Sequence, residues 1–215
     1  MNHISNWQRL AVSLALAACI AIVNSITGGT AWAQVGNAYY FVDKAKLPFD
    51  ALPGASAMWG VHKGAGYRIE VPHDWNGDLV MYAHGFRGEG AELTVSNPRI
   101  REYLVSQGFA WAASSYSRNR YDIKAGVQDT MALAKLFNGL VDKPGRVFIT
   151  GHSMGGHVTG VAIEQYPNAF AGAVPMCGVM SDIEEFDFIA DFNMVAQAVT
   201  GFPAQFPPIP IMSLR

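Results

Sequence analysis

Short apolar runs alternate with amphipathic stretches along the whole chain. Tyr39 to Val42 and Gly66 to Val71 have strand character. In the second, Tyr67, Ile69 and Val71 alternate with Arg68 and Glu70, the pattern of a strand exposed on one face. Pro48 to Ala65, rich in Gly, Ala and Pro, is read as loop, and Asp74 to Asp78 as a turn. Leu79–Ala83, Phe109–Ala113, Val147–Ile149 and Phe170–Val179 are apolar throughout, as strands buried on both faces are. Helical patterns separate them. Asn97-Pro98 offers an N-cap and a first-turn proline to a helix with Ile100, Tyr103 and Leu104 inward and Gly108 as its stop. A second helix runs from about Gly126 to Leu140. A third carries Met154, Val158, Val161, Ala162 and Gln165 on one side and ends before Pro167. In residues 182–200, Phe188, Phe192, Val195 and Val199 form one stripe. The acidic residues Asp182, Glu184, Glu185, Asp187 and Asp191 read as a solvated face. This segment is either a cap over a pocket mouth or a crossover helix. Ile209 to Met212, in a proline-rich tail, has the pattern to begin one more strand. Buried strands alternating with helices predict an α/β fold, a mostly parallel sheet with helices on both faces.

Bulk properties add limits. The 215 residues are 50% hydrophobic and 15% charged, which suits one globular domain with a real core. A formal charge of -2 gives no reason to expect nucleic acid as a partner. Residues 1–33 read as a leader: Arg9, an apolar run from Leu10 to Val23, and Ala31-Trp32-Ala33 as a cleavage site before Gln34. The run falls short of the ~20 residues a membrane span needs, so no stable span is expected in the mature chain, residues 34–215. Leu16-Ala17-Ala18-Cys19 resembles a bacterial lipoprotein box, but apolar Ile20 to Val23 stand where a polar tether belongs, and cleavage after Ala33 is preferred. Either route exports the protein, to the periplasm or the medium. The remaining Cys177 lies in the apolar run Ala173 to Val179 and is expected to be a buried structural thiol.

The chemistry concentrates at Gly151-His152-Ser153-Met154-Gly155-Gly156, between the strand ending near Thr150 and the helix after it. A turn this sharp strains the serine and leaves no room for side chains at Gly151, Gly155 and Gly156. Ser153 Oγ is thereby set above the sheet at a helix N-terminus, where developing negative charge is favoured. Strand, G-x-S-x-G and helix in this order resemble the nucleophile elbow of α/β-hydrolases. His84-Gly85-Phe86, at the end of Leu79–Ala83, resembles the loop that gives those enzymes half of their oxyanion hole. The resemblance implies that the backbone N–H groups of Phe86 and Met154 hold the oxyanion. His84 is read as ordering that loop and Gly85 as allowing its turn. Tyr116, Arg118 and Arg120 are candidates to line a pocket in the loop after Phe109–Ala113, although a solvated loop accounts equally well for the arginines.

The resemblance spans the N-terminal two-thirds of such a domain. It implies a secreted serine hydrolase, esterase- or lipase-like, acting on a small or polymeric carboxylic ester and needing no cofactor. The family order is Ser, then acid, then His, yet no histidine follows His157. His157 lies on the elbow helix, His152 is inside the elbow, and His62 and His73 precede the core strands. Glu164, Asp182, Asp187 and Asp191 do not match the family's acid. Triad acid and base are therefore expected outside this chain, with the last strands, and an incomplete chain is expected to be inactive or very weak and to associate through its uncovered edge. The alternative is a non-catalytic exported binding protein on the same fold. Neither H-E-x-x-H nor paired cysteines suggest a metal, and no G-x-G-x-x-G follows an early strand.

Overall fold

The computed structural model describes residues 39–181 and 183–201. The expected leader at residues 1–33 and the expected strand at Ile209 to Met212 lie outside the described residues. Strands are β1 Phe41–Val42, β2 Ala55–His62, β3 Ala65–Pro72, β4 Asp78–Ala83, β5 Glu92–Leu93, β6 Ala110–Ser114, β7 Arg146–His152 and β8 Gly172–Met176. Helices are α1 Arg101–Ser106, α2 Ile123–Leu140, α3 Met154–Gln165 and α4 Ile183–Thr200. β1 and β5 form a small parallel pair; the other six strands make one sheet in the order β2-β3-β6-β4-β7-β8.

Within the six-stranded sheet, β6, β4, β7 and β8 are parallel, and β3 runs against β6 and β2. From β4 the chain steps to one side to form β6. It then crosses back to β7 and continues outward to β8. The direction of winding reverses between β4 and β7. Loops leaving their C-terminal ends diverge there, and open a crevice where sheets of this kind take ligands.

Alternation along β4 fills both faces. Leu79, Met81 and Ala83 join Ile149, Val158, Ala162, Val127 and Phe137 in the core beneath α2 and α3. Val80 and Tyr82 join Trp111 and Leu104 in a second core on the other face, under α1. The α/β arrangement expected from the pattern is present, with an antiparallel β2–β3 hairpin added at one edge.

That hairpin is a departure from the expected loop at Pro48 to Ala65. Ala55–His62 pairs residue for residue with Ala65–Pro72 across a two-residue turn, Lys63-Gly64, in which both residues have positive φ (50° and 85°). Such turns match the twist of the flanking strands. The small residues of β2 hid its alternation. Glu70 is a second departure. Instead of facing solvent it is fully buried, accepting hydrogen bonds from Leu52 N–H (2.7 Å), Trp111 Nε1 (2.6 Å) and Arg101 (2.7 and 3.0 Å). Four donors, two of them from the Arg101 guanidinium, offset the cost of taking a carboxylate out of water.

Three boundaries also shift. α1 begins at Arg101, and Asn97 does not cap it; Asn97 Oδ1 accepts from Arg68 at 3.0 Å. α2 begins earlier than expected because the Asp122 carboxylate caps the Ala125 N–H at 2.9 Å. β8 is shorter than its apolar run. Cys177, just past it, is exposed with φ 49°, so the expectation of a buried thiol is overturned. Residues 183–200 are helical, and Phe188, Phe192, Val195 and Val199 are exposed. No described helix is long and apolar enough to cross a membrane.

Candidate active site

β7 ends at His152, Ser153 turns, and α3 starts at Met154. Ser153 has φ 55° and ψ -128°, a backbone state that costs a non-glycine residue about 1–3 kcal/mol. It is held from both sides: Ser153 N–H donates to Met176 O (2.9 Å), and Ser153 O accepts from Gly156 and His157 N–H (2.8 and 3.2 Å). The side chain is exposed at the C-terminal end of the sheet, and Oγ makes no hydrogen bond among the described residues.

The glycines explain how the turn fits. A Cβ at Gly155 would overlap the Ala83 carbonyl oxygen, and one at Gly151 would overlap the Gly155 carbonyl oxygen. At Gly156 it would lie 2.6 Å from Met176 O and 2.9 Å from the backbone of Gly178. The first turn of α3 therefore rests directly on the backbones of β4 and β8.

The loop leaving β4 lies against the same turn. A Cβ on Gly85 would stand 3.3 Å from Ser153 Cβ and 3.2 Å from His152 O. The next residue, Phe86, is half exposed and lines a cleft of about 300 Å³ with Tyr82, Arg87, Ser96, Arg99 and His152. Sequence reasoning assigned no role to Tyr82, Ser96, Arg87 or Arg99. Arg87 follows directly on His84-Gly85-Phe86 and was the one readable signal.

His84 is buried (3% exposed) and stacks on Tyr116, with ring centroids 4.0 Å apart. Its Nδ1 donates to Gly85 O at 2.6 Å, while buried Nε2 has no hydrogen-bond partner among the described residues. Burial lowers its pKa from 6.5 to about 4, so the ring is neutral at pH 7. Tyr116, expected as a pocket residue, is instead buried beneath this loop, and its hydroxyl donates to His84 O at 3.1 Å. Asn119 Nδ2 donates to Gly90 O and Glu92 O (2.6 and 2.8 Å), and Arg120 N–H to Gly88 O (2.9 Å). The loop after β6 thus holds the loop after β4. Arg118 and Arg120 are exposed.

The other described histidines are placed as follows. His152 Nδ1 pairs with Tyr82 Oη at 3.0 Å, and His157 Nδ1 with Tyr121 Oη at 3.1 Å. His62 is at the correct end of the sheet but four strands from β7, about 19 Å at ordinary strand spacing. His73 is at the opposite end, near Ser56. None hydrogen-bonds Ser153 Oγ. Among the described residues no cluster of His, Cys, Asp or Glu is placed to hold a metal ion.

Residues 103–205, just under half of the chain, match the model of the prolyl oligopeptidase family. No curated protein matches the sequence. Solved structures with similarity include the acetyl xylan esterase from Aspergillus awamori, 22% identical with a TM-score of 0.46, over 58% of this chain and 52% of that one. Est1E from Butyrivibrio proteoclasticus is 18% identical with a TM-score of 0.45, over 60% and 53% of the two chains. The S-formylglutathione hydrolase from Staphylococcus aureus is 18% identical with a TM-score of 0.44, over 58% and 57%. The match therefore spans about half the length of each of these structures.

Two outcomes follow from the packing. Gly155→Ala should destabilise the fold by at least the ~1–3 kcal/mol typical of overpacking, because backbone must move. Gly160→Ala, whose new Cβ would meet only the flexible end of the Met180 side chain, should be close to neutral; chemical denaturation of both variants checks the contrast. His84 sets the pH response. The unfolded chain takes up its proton below about pH 6.5, whereas the folded chain holds it off until about pH 4. This part of the stability is complete above pH 6.5 and is lost as pH falls, amounting to about 3 kcal/mol by pH 4. Denaturation midpoints across that range should fall in the native chain and fall much less in His84→Gln.

Proposed function

We propose that this α/β-hydrolase domain belongs to a serine hydrolase that cleaves carboxylic esters through an acyl-enzyme on Ser153. The observation that carries the proposal is the strained, exposed Ser153 between a buried strand and a helix N-terminus, with the Gly85–Phe86 loop against its Cβ. Oγ attacks the ester carbon as a base takes its proton. Charge collects on the carbonyl oxygen, and the N–H groups of Phe86 and Met154 receive it; a single donor of this kind contributes about 2.7–4 kcal/mol at the transition state. Collapse expels the alcohol, and water then releases the acid. Gly151, Gly155 and Gly156 allow the turn, and His84 and Gly85 set the path of the loop. A neutral His84, with Nδ1 bonded to Gly85 O, orders that loop without adding a charge.

The described histidines do not supply the base, and we assign base and acid to residues outside the described set. The family match over residues that include Ser153 supports the hydrolase class. The leader at residues 1–33 supports export, so the ester is one met in the periplasm or the medium, small or polymeric. No cofactor or metal enters this chemistry. The second reading is a non-catalytic exported binding protein on the same fold, favoured by the lack of any hydrogen bond to Ser153 Oγ among the described residues.

A fluorophosphonate applied to the protein in its full natural length should attach at Ser153, located by peptide mass spectrometry. Turnover of p-nitrophenyl butyrate should fall by at least about a thousandfold in Ser153→Ala. A folded protein that neither labels nor turns over ester would overturn the hydrolase reading. Ester turnover that survives the substitution would place the chemistry elsewhere.

A further inference from the structure

The cleft beside Ser153 is cationic. Arg87, one residue beyond Phe86, and Arg99, on the segment leading into α1, both line it, together with Tyr82, Ser96 and His152. Among the described residues neither arginine is paired with a carboxylate. The described lining contains no acidic residue; Glu89, on the same loop as Arg87, neither lines the cleft nor pairs with either guanidinium. Arg87 donates to Ser96 Oγ, which fixes its direction along the wall. The other arginines on this face of the fold are used differently. Arg68 spends its donors on Leu47 O, Lys46 O and Asn97, and Arg101 on buried Glu70.

Tyr82 lines the same cleft. Burial pushes its pKa up, and Arg87 and Arg99 each pull it back down. Two arginines on the wall of one concave site, with Tyr82 and Ser96 in the same lining and no acidic residue among it, match an anionic group, for which planar forked donors are suited.

We propose that this cleft is an anion subsite, and that the preferred substrate is an ester whose acyl or alcohol part carries a free carboxylate held by Arg87 and Arg99. This rests on the reading of Ser153 as the nucleophile. With Arg87 next to the oxyanion donor at Phe86, the carboxylate lies a short chain away from the reacting carbonyl. A half-ester of a dicarboxylic acid has that form, and a neutral ester of equal length leaves both cations solvated and unmatched.

Binding can be measured without turnover, using the full-length Ser153→Ala protein and ligand-titration NMR. Monoethyl adipate should bind at least about tenfold more tightly than diethyl adipate, as a hydrogen-bonded ion pair predicts. The double variant Arg87→Ala/Arg99→Ala should lose that margin while binding diethyl adipate unchanged. Arg87→Lys should retain only part of it, because the charge remains and the fork is lost. Raising the salt concentration should narrow the difference between the two ligands. Equal affinities, no binding of the half-ester, or a margin that survives the double variant would each overturn the subsite. Both arginines are exposed, so an unchanged thermal melt separates loss of binding from loss of fold. A failure of Ser153 to label would count against the hydrolase reading and leave this comparison interpretable.

Discussion

The contact on which the site depends is backbone against backbone, where the first turn of α3 rests on the carbonyls that end β4 and β8. Ala83 O and Met176 O occupy the space that side chains at Gly155 and Gly156 would need. A helix held that close leaves one residue to turn the chain through the gap, and Ser153 takes an unfavourable backbone state to do it. The strain persists because neighbouring hydrogen bonds over-determine it, above all Ser153 N–H to Met176 O. The same closeness sets the chemistry. Ser153 Oγ is presented at a helix N-terminus, above the point where strand order reverses, with the loop after β4 alongside. Position, electrostatics and access thus follow from three missing Cβ atoms and a sheet that winds both ways from β4 and β7.

A second layer keeps the loop after β4 in place. Tyr116 lies under His84, its hydroxyl on the His84 carbonyl, and Asn119 and Arg120 fasten the loop further along. His84 is held neutral by burial, so its ring orders the loop as a polar wedge and not as a cation. Beyond it the surface changes character within three residues, from buried His84 to exposed Arg87. The order is consistent: a neutral, packed base under the proposed oxyanion site, and positive charge on the wall of the cleft next to it.

The parallel part of the fold was legible because burial on both faces writes itself as unbroken apolar runs, at Leu79–Ala83 and Phe109–Ala113. The elbow was legible because steric exclusion demands glycine at fixed offsets from a serine. Other features were hidden for equally physical reasons. β2 is an edge strand with Ala55, Ser56, Ala57 and Gly60 among its eight residues, so its alternation is weak and its sequence looks like loop. Glu70 alternates with apolar neighbours as a surface residue would, and only tertiary structure brings Arg101 and Trp111 to it across 31 and 41 positions. Asn97 has the chemistry of a cap but is taken by Arg68. Tyr116 reads as a pocket aromatic, and its burial under His84 depends on a positive φ that nothing in the local sequence signals. The cationic cleft gathers Arg87 and Arg99 from separate loops, a convergence visible only once β4 and the approach to α1 are side by side.

The most direct measurement is a crystal structure of the protein after reaction with a phosphonate ester. The account predicts phosphorus bonded to Ser153 Oγ and one phosphonyl oxygen within about 2.7–3.1 Å of both Phe86 N and Met154 N. An adduct on another residue, or a phosphonyl oxygen directed into solvent away from both amides, would contradict it.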